Sequence, residues 1–162
     1  MPASLSNPSV ERVRAALAAA GLAPDIVELP GAARTAVAAA QFLGCEVAQI
    51  ANSLVFRAQS TDRAVLVMSS GAKRVSIAKL AATVGEPIGK ADADFVRRHT
   101  GFAIGGVAPA GSEGAYLRAF VERGLSAWPD IWAAAGHPST VFRLSYAELL
   151  RLTGGAEADL AE

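Results

Sequence analysis

Local punctuation constrains this chain more than any other feature. The free backbone N–H groups at a helix start need an acceptor, which Ser, Thr, Asn or Asp supplies, and the left-handed turn that ends a helix favours Gly. Asn7 or Ser6 precedes Pro8 at a first helical position, and Val10, Val13, Ala16 and Leu17 then recur at helical spacing as far as Gly21. Thr35 opens an alanine-rich stretch through Ala39 and Phe42 that stops at Gly44. Ser76 opens Ile77, Leu80, Ala81 and Val84 before Gly85, and Asp92 starts Phe95 and Val96, ending by Gly101. Ser145 and Glu148 form a capping box ahead of Leu149, Leu150 and Leu152, and Gly154 closes that segment. The helices of this fold are therefore expected to be short.

Between them lie apolar runs with strand character: Ile26 to Leu29, Ser53 to Ala58, Ala64 to Ser69, Ala103 to Val107, Tyr116 to Val121, Ile131 to Ala134 and Thr140 to Leu144. The polar stretch from Gln59 to Arg63 predicts a hairpin, so the sheet is expected to be mixed and not purely parallel. The class is α+β. With 162 residues, 52% of them hydrophobic, the chain suits one core. A single domain is expected over residues 1–155, with a short frayed tail over 156–162.

Charge and cysteine content narrow the function. Fifteen basic residues balance fifteen acidic ones, so no global positive field exists to hold a long nucleic acid, and any such contact is local. The single cysteine, Cys45, excludes an intramolecular disulfide and every multi-cysteine metal site, which suits a reducing compartment. Met1 to Pro8 shows no basic segment followed by an apolar one, and no apolar run approaches the ~18 residues of a membrane span. A soluble cytoplasmic protein is the expectation.

The most unusual segment is Gly101-Phe102-Ala103-Ile104-Gly105-Gly106-Val107-Ala108-Pro109-Ala110-Gly111. Glycine lets backbone N–H groups approach a ligand, and Pro109 stiffens the exit, so the loop is suited to presenting amides to a carbonyl or oxyanion; a tight corner needed only for folding is the alternative. It lacks the Gly-Lys-Ser/Thr ending of a Walker loop, and no helix follows as a dinucleotide fingerprint requires. Asn52 and Ser53 open a strand, either at a pocket or as a capped transition from helix to strand. Lys73 and Arg74 lie in a basic turn, facing a pocket or plain solvent. His99, beside Arg97 and Arg98, fits a helix end where a cation is favoured. His137, in Gly136-His137-Pro138, is a turn residue or a group at a pocket rim. Cys45 has no His nearby in sequence and suits a core position, the two histidines have no metal-ligand spacing, and Trp128 and Trp132 suit a core or rim, with base stacking as the alternative.

Three blocks together resemble the YbaK-like family of aminoacyl-tRNA editing domains, related to the domain inserted in bacterial prolyl-tRNA synthetases. They are Gln49-Ile50-Ala51-Asn52-Ser53-Leu54-Val55-Phe56, Ser70-Gly71 with Arg74, and Thr100 to Gly111 with the family's Gly-x-x-x-Pro loop at Gly105 and Pro109. Arg34-Thr35 before the alanine-rich helix and Trp132-Ala133-Ala134-Ala135-Gly136 are similar too. The resemblance runs from about the first helix to Gly154 and implies a barrel-like mixed sheet surrounded by short helices. It implies a trans-editing deacylase that removes a small amino acid from mischarged tRNA, with tRNA for proline as carrier. The tRNA acceptor end and prolyl-tRNA synthetase are the implied partners, with no cofactor and no metal. Carried over residue by residue, the resemblance gives Gly105 and Asn52 as catalytic and Thr35, Ser53, Ser70, Arg74, Gly106, Pro109, Gly136 and His137 as substrate-binding. One departure stands out: Asn52 occupies the place of a family lysine before Ser/Thr-Leu. An amide still donates hydrogen bonds but brings no charge, so the alternative is a non-catalytic module that binds tRNA or a small ligand.

Overall fold

The computed structural model describes residues 5–23, 25–31 and 35–162; Arg34 and the first part of Met1 to Pro8 lie outside the described residues. Helix α1 (Pro8–Ala19) starts where Asn7 accepts a hydrogen bond from the Ser9 N–H. Helices α2 (Ala36–Leu43), α3 (Ile77–Val84), α4 (Ala93–Thr100) and α5 (Tyr146–Thr153) are each 8 residues long. In all four the side chain of Thr35, Ser76, Asp92 or Ser145 accepts from the third helical N–H. A left-handed glycine, Gly44, Gly85, Gly101 or Gly154, ends each one. The expected caps and stops are the observed ones.

Among the described residues, eight strands form one mixed sheet: β1 (Ile26–Glu28), β2 (Ile50–Ala58), β3 (Arg63–Ser70), β4 (Ile88–Lys90), β5 (Arg118–Glu122), β6 (Ile131–Ala134), β7 (Thr140–Leu144) and β8 (Ala156–Ala158). Their order is β1-β7-β6-β2-β3-β5-β8, with β4 also on β2. The β2–β3 hairpin has the register Ala51↔Ser70 to Ala58↔Arg63, and its turn puts Asp62 at φ 58°, where it pairs with Arg57 at 2.5 Å. Strand β3 is buried on both faces from Ala64 to Ser70. Leu66 and Met68 join the main core with Val13, Leu17, Phe102, Phe142 and Leu149, while Val65 and Val67 face a second cluster containing Leu80, Phe120 and Leu160.

Three expectations are corrected. Ala103 to Val107 is not a strand: Gly105 sits at φ 85° and the Gly106 N–H donates to the Ala103 carbonyl, so the run folds into a turn. The strand expected over Tyr116 to Val121 is Arg118–Glu122, and two three-residue strands, β4 and β8, went unpredicted. The tail over 156–162 is not frayed. β8 pairs in parallel with β5, Val75 bridges Ala161, and Leu160 is 1% exposed, with its N–H donating to the buried Glu122 carboxylate at 2.8 Å.

The segment 101–111 is held at both ends by one side chain from α1. Arg12 Nε donates to the Gly111 carbonyl at 2.6 Å and an Arg12 Nη donates to the Gly101 carbonyl at 3.3 Å. The guanidinium also lies 4.7 Å from the centre of the buried Phe102 ring and 3.3 Å from Glu113 Oε1. A planar fork with several donors suits this bridging where an ammonium does not.

Two outcomes are expected. Arg12→Ala, which leaves both carbonyls without this donor, destabilises the fold by about 1.5–3 kcal/mol in urea unfolding, and Arg12→Lys recovers less than half of the loss. Leu160→Ala costs about 2–5 kcal/mol by the same measurement; a loss below ~0.5 kcal/mol would return the tail to a frayed segment.

Candidate functional site

A cavity of about 350 Å³ opens beside the middle of β2. Asn52, Ser53, Leu54, Val55 and Phe56 from β2 line it, with Thr35, Ala36 and Ala39 from the start of α2. Ala133 and Ala134 from β6 bound one side, Ala91 and Val96 the other, and Ile104, Gly105 and Val107 from the glycine segment cover it. Trp132, Pro138 and the buried Thr140 complete the lining. No ionisable side chain is among the described residues that line this cavity. Its polar groups are amides and hydroxyls, so it offers hydrogen bonds but no side-chain proton acceptor of ordinary strength.

The residues singled out in the sequence separate into two sets. Thr35, Asn52, Ser53 and Gly105 share the cavity wall. Thr35 is also the cap of α2, its Oγ1 accepting from the Ala38 N–H at 3.0 Å. Asn52 is not a helix-to-strand cap: it stands inside β2, opposite Ser69, and is half-buried. Ser53 Oγ lies 3.3 Å from Met68 Sδ. Gly105 leaves room, since a β-carbon there would meet only Pro138 at an ordinary 3.6 Å.

The second set lies behind or away from the wall, and each member has a packing reason. Ser70 is buried and donates to the Ala48 carbonyl at 3.0 Å, fixing the turn after β3. Arg74 is exposed, and its carbonyl accepts from the Glu162 N–H. Gly106 abuts the His137 backbone, where a β-carbon would come within 2.9 Å. Gly136, at φ 105°, abuts the Ser9 carbonyl, where a β-carbon would come within 2.7 Å. Pro109 is buried behind the turn, and His137 Nδ1 accepts from the Ser139 N–H at 3.0 Å. The glycines of this region thus serve two purposes: Gly106, Gly111 and Gly136 let backbones touch, and Gly105 shapes the surface of the cavity.

Other titratable groups stand apart. Burial, and then Glu46, push the Cys45 thiol above its ordinary value, and this side chain packs against the cluster of Leu29, Ala39 and Ile50. Burial holds the Tyr116 hydroxyl up at about 12, outside the cavity. His99 stacks on Phe95 at 4.1 Å at the end of α4. Among the described residues no group of three or more His, Cys, Asp or Glu is placed to hold a metal ion, and no helix is long and apolar enough to cross a membrane. Arg12 and Ala91 are among the contributors missed in the sequence. Arg12 reads there as an ordinary charged position of α1, and Ala91 lies beside a strand too short to show a pattern.

Comparison with known proteins agrees with this geometry. The crystal structure of a candidate trans-editing enzyme for prolyl tRNA synthetase matches with a TM-score of 0.89 and 44% identity, over 96% of this chain and 98% of that one. The crystal structure of hypothetical protein APE2540 matches at 0.84 and 26%, over 93% and 99%. The uncharacterized protein YwhH of Bacillus subtilis (strain 168) is 27% identical over 125 residues, 77% of this chain and 78% of its own length. The family model for the aminoacyl-tRNA editing domain matches residues 31–152, which include all of β2, the glycine segment and both sides of the cavity, and this chain belongs to that family.

Proposed function

We propose that this chain is a trans-editing deacylase that hydrolyses the ester between a small, uncharged amino acid and tRNA for proline, working beside prolyl-tRNA synthetase in the cytoplasm. The carrying observation is the cavity of about 350 Å³ with no ionisable side chain among its described lining. One small aminoacyl group fits such a space, whereas a charged side chain would lose its hydration and gain no counter-ion, a cost of several kcal/mol. A synthetase pocket discriminates against a missing methylene by only about 1–3 kcal/mol, which is why a second site of this kind is useful. The crystal structure at 44% identity, described for prolyl tRNA synthetase, supports the choice of carrier.

The chemistry follows from what the wall offers. Water adds to the ester carbonyl carbon, the carbonyl oxygen becomes an oxyanion, and collapse breaks the bond to the ribose oxygen. That oxygen leaves with a proton that began on the water, giving free amino acid and an intact tRNA end. With no acid or base among the described lining residues, the neighbouring ribose hydroxyl carries the proton. The backbone at Gly105 supplies a donor to the oxyanion, a contribution worth about 10²–10³ in rate where such donors have been removed. Asn52 hydrogen-bonds the ribose or the terminal phosphate as a neutral group.

Asn52 also favours a second reading, binding without turnover, because the charge expected at this place is missing. A panel of tRNAs charged with alanine, cysteine, serine, glutamate and lysine separates the two. Release of a small uncharged amino acid, with the charged ones retained, supports the deacylase; tight binding with no release of any would replace it by the binding module.

Two variants refine this. Gly105→Ala forces a side chain into φ 85° at about 1–2 kcal/mol without a clash, so melting falls by only about 2–8 °C while deacylation falls at least tenfold. Asn52→Lys adds one charge at the tRNA end, so the slope of log affinity against log salt steepens by about 0.7, with stability within ~0.5 kcal/mol of the parent. An unchanged slope would remove Asn52 from the site.

A further inference from the structure

The strand that floors the cavity has an edge used by two other strands but not by either in its middle. The Ile50 carbonyl accepts from the Gly71 N–H at 2.7 Å and the Ala58 carbonyl from the Asp62 N–H at 2.8 Å, so both point toward β3 and its turns. Backbone groups alternate along a strand, so Ala51, Ser53, Val55 and Arg57 present theirs to the opposite edge. The Gln59 N–H, donating to the Pro87 carbonyl at 2.9 Å, continues that series on the side of β4. On this edge the parallel pairing with β6 ends at Ala51↔Ala133, and the antiparallel pairing with β4 begins at Phe56↔Lys90. Among the described residues, the Ser53 carbonyl and the Val55 N–H lie in the gap and meet no strand.

The gap is the cavity. Ala133 and Ala134 end one neighbour, Ala91 follows the other, and all three line the space together with Ser53 and Val55. β6 ends because its chain turns back into β7: the Thr140 N–H donates to the His137 carbonyl. Had β6 run on in register, its next inward residue would have given its N–H to the Ser53 carbonyl and taken a hydrogen bond from the Val55 N–H. An amino acid has the same pair of groups at the same spacing. Backbone polar groups in an apolar recess are costly to leave unpaired, so this edge favours a ligand that completes the ladder.

We infer that the aminoacyl group of the substrate docks as one residue of a parallel strand on β2, its neutral α-amino group donating to the Ser53 carbonyl and its ester carbonyl accepting from the Val55 N–H. This rests on the deacylase reading above and names the groups that position its substrate. The Val55 N–H joins the amide at Gly105 as a second donor to the oxyanion. Because the recognition is by main chain, it requires a free α-amine and leaves the identity of the small side chain to the alanine-lined wall.

The test uses the full chain, labelled with ¹⁵N, and the stable amide 3′-deoxy-3′-(L-alanylamino)adenosine. The expected result is a downfield shift and slowed exchange of the Val55 N–H, absent with adenosine alone, and at least tenfold weaker binding of the propionyl analogue that lacks the amine. In parallel, an ester replacing the amide at residue 55, which deletes only that N–H, lowers kcat/KM for a hydrolysed charged tRNA at least tenfold. If the alanyl compound binds and charged tRNA is hydrolysed but the Val55 signal and the amine dependence are both missing, the docking mode is wrong while the deacylase stands. If no charged tRNA is hydrolysed and neither analogue binds, the deacylase reading fails and takes this one with it.

Discussion

Strand β2 is the constraint on which the rest of the molecule depends. It pairs along its length with β3, and on its other edge with β6 at one end and β4 at the other. Those pairings fix where α2, α4 and β7 sit, because α2 leads into β2 itself, α4 follows β4 and β7 follows β6. Since β3 is buried on both faces, a one-residue slip of the hairpin would exchange the two cores and drive Leu66 and Met68 into the wrong one. The register is therefore strongly held, and with it the position of every group on the cavity floor.

Above that floor, the cover is fixed by a different kind of force. The glycine segment puts Phe102, Val107 and Ala108 into the core, and main-chain contacts hold the rest of it in shape. Gly106 and Gly136 allow two backbones to touch, and Arg12 closes the ends. Rigidity in such a cover matters for catalysis, because a donor aimed at an oxyanion is effective only if it does not have to reorganise.

The features legible in the sequence are those decided within a few residues. A cap at Thr35, Ser76, Asp92 or Ser145 reaches a backbone N–H three residues on, and the glycine that stops each helix needs only its own φ. The hairpin was legible for the same reason. Strands β4 and β8 were not, because Ile88-Gly89-Lys90 and Ala156-Glu157-Ala158 have no pattern of their own and are strands only by virtue of their partners. The run Ala103 to Val107 misled in the opposite sense: it is apolar because Val107 enters the main core and Ile104 and Gly105 line the cavity, not because it extends. At the site, Thr35, Asn52, Ser53 and Gly105 were marked by local contrast with apolar surroundings, and they meet in space. The same contrast at Ser70, Gly106, Gly136 and His137 reflects turn geometry, which composition does not distinguish from ligand contact.

The pairing of Ile50 with Trp132 also sets the order of events when the chain folds. A hairpin such as β2–β3 closes a short loop and forms on the scale of about 1–10 μs, whereas a parallel contact between residues so far apart in sequence waits for the intervening chain to be arranged. The β3–β5 pairing is of the same slow kind. Until β6 arrives, the outer edge of β2 is bare up to its pairing with β4 at Phe56, and the segment Leu54-Val55-Phe56 there is apolar. The recess that later receives a small molecule is, during that interval, an open sheet edge able to recruit another chain. Arg57 and Lys90, charged residues at the far end of that edge, are the natural brake on such association.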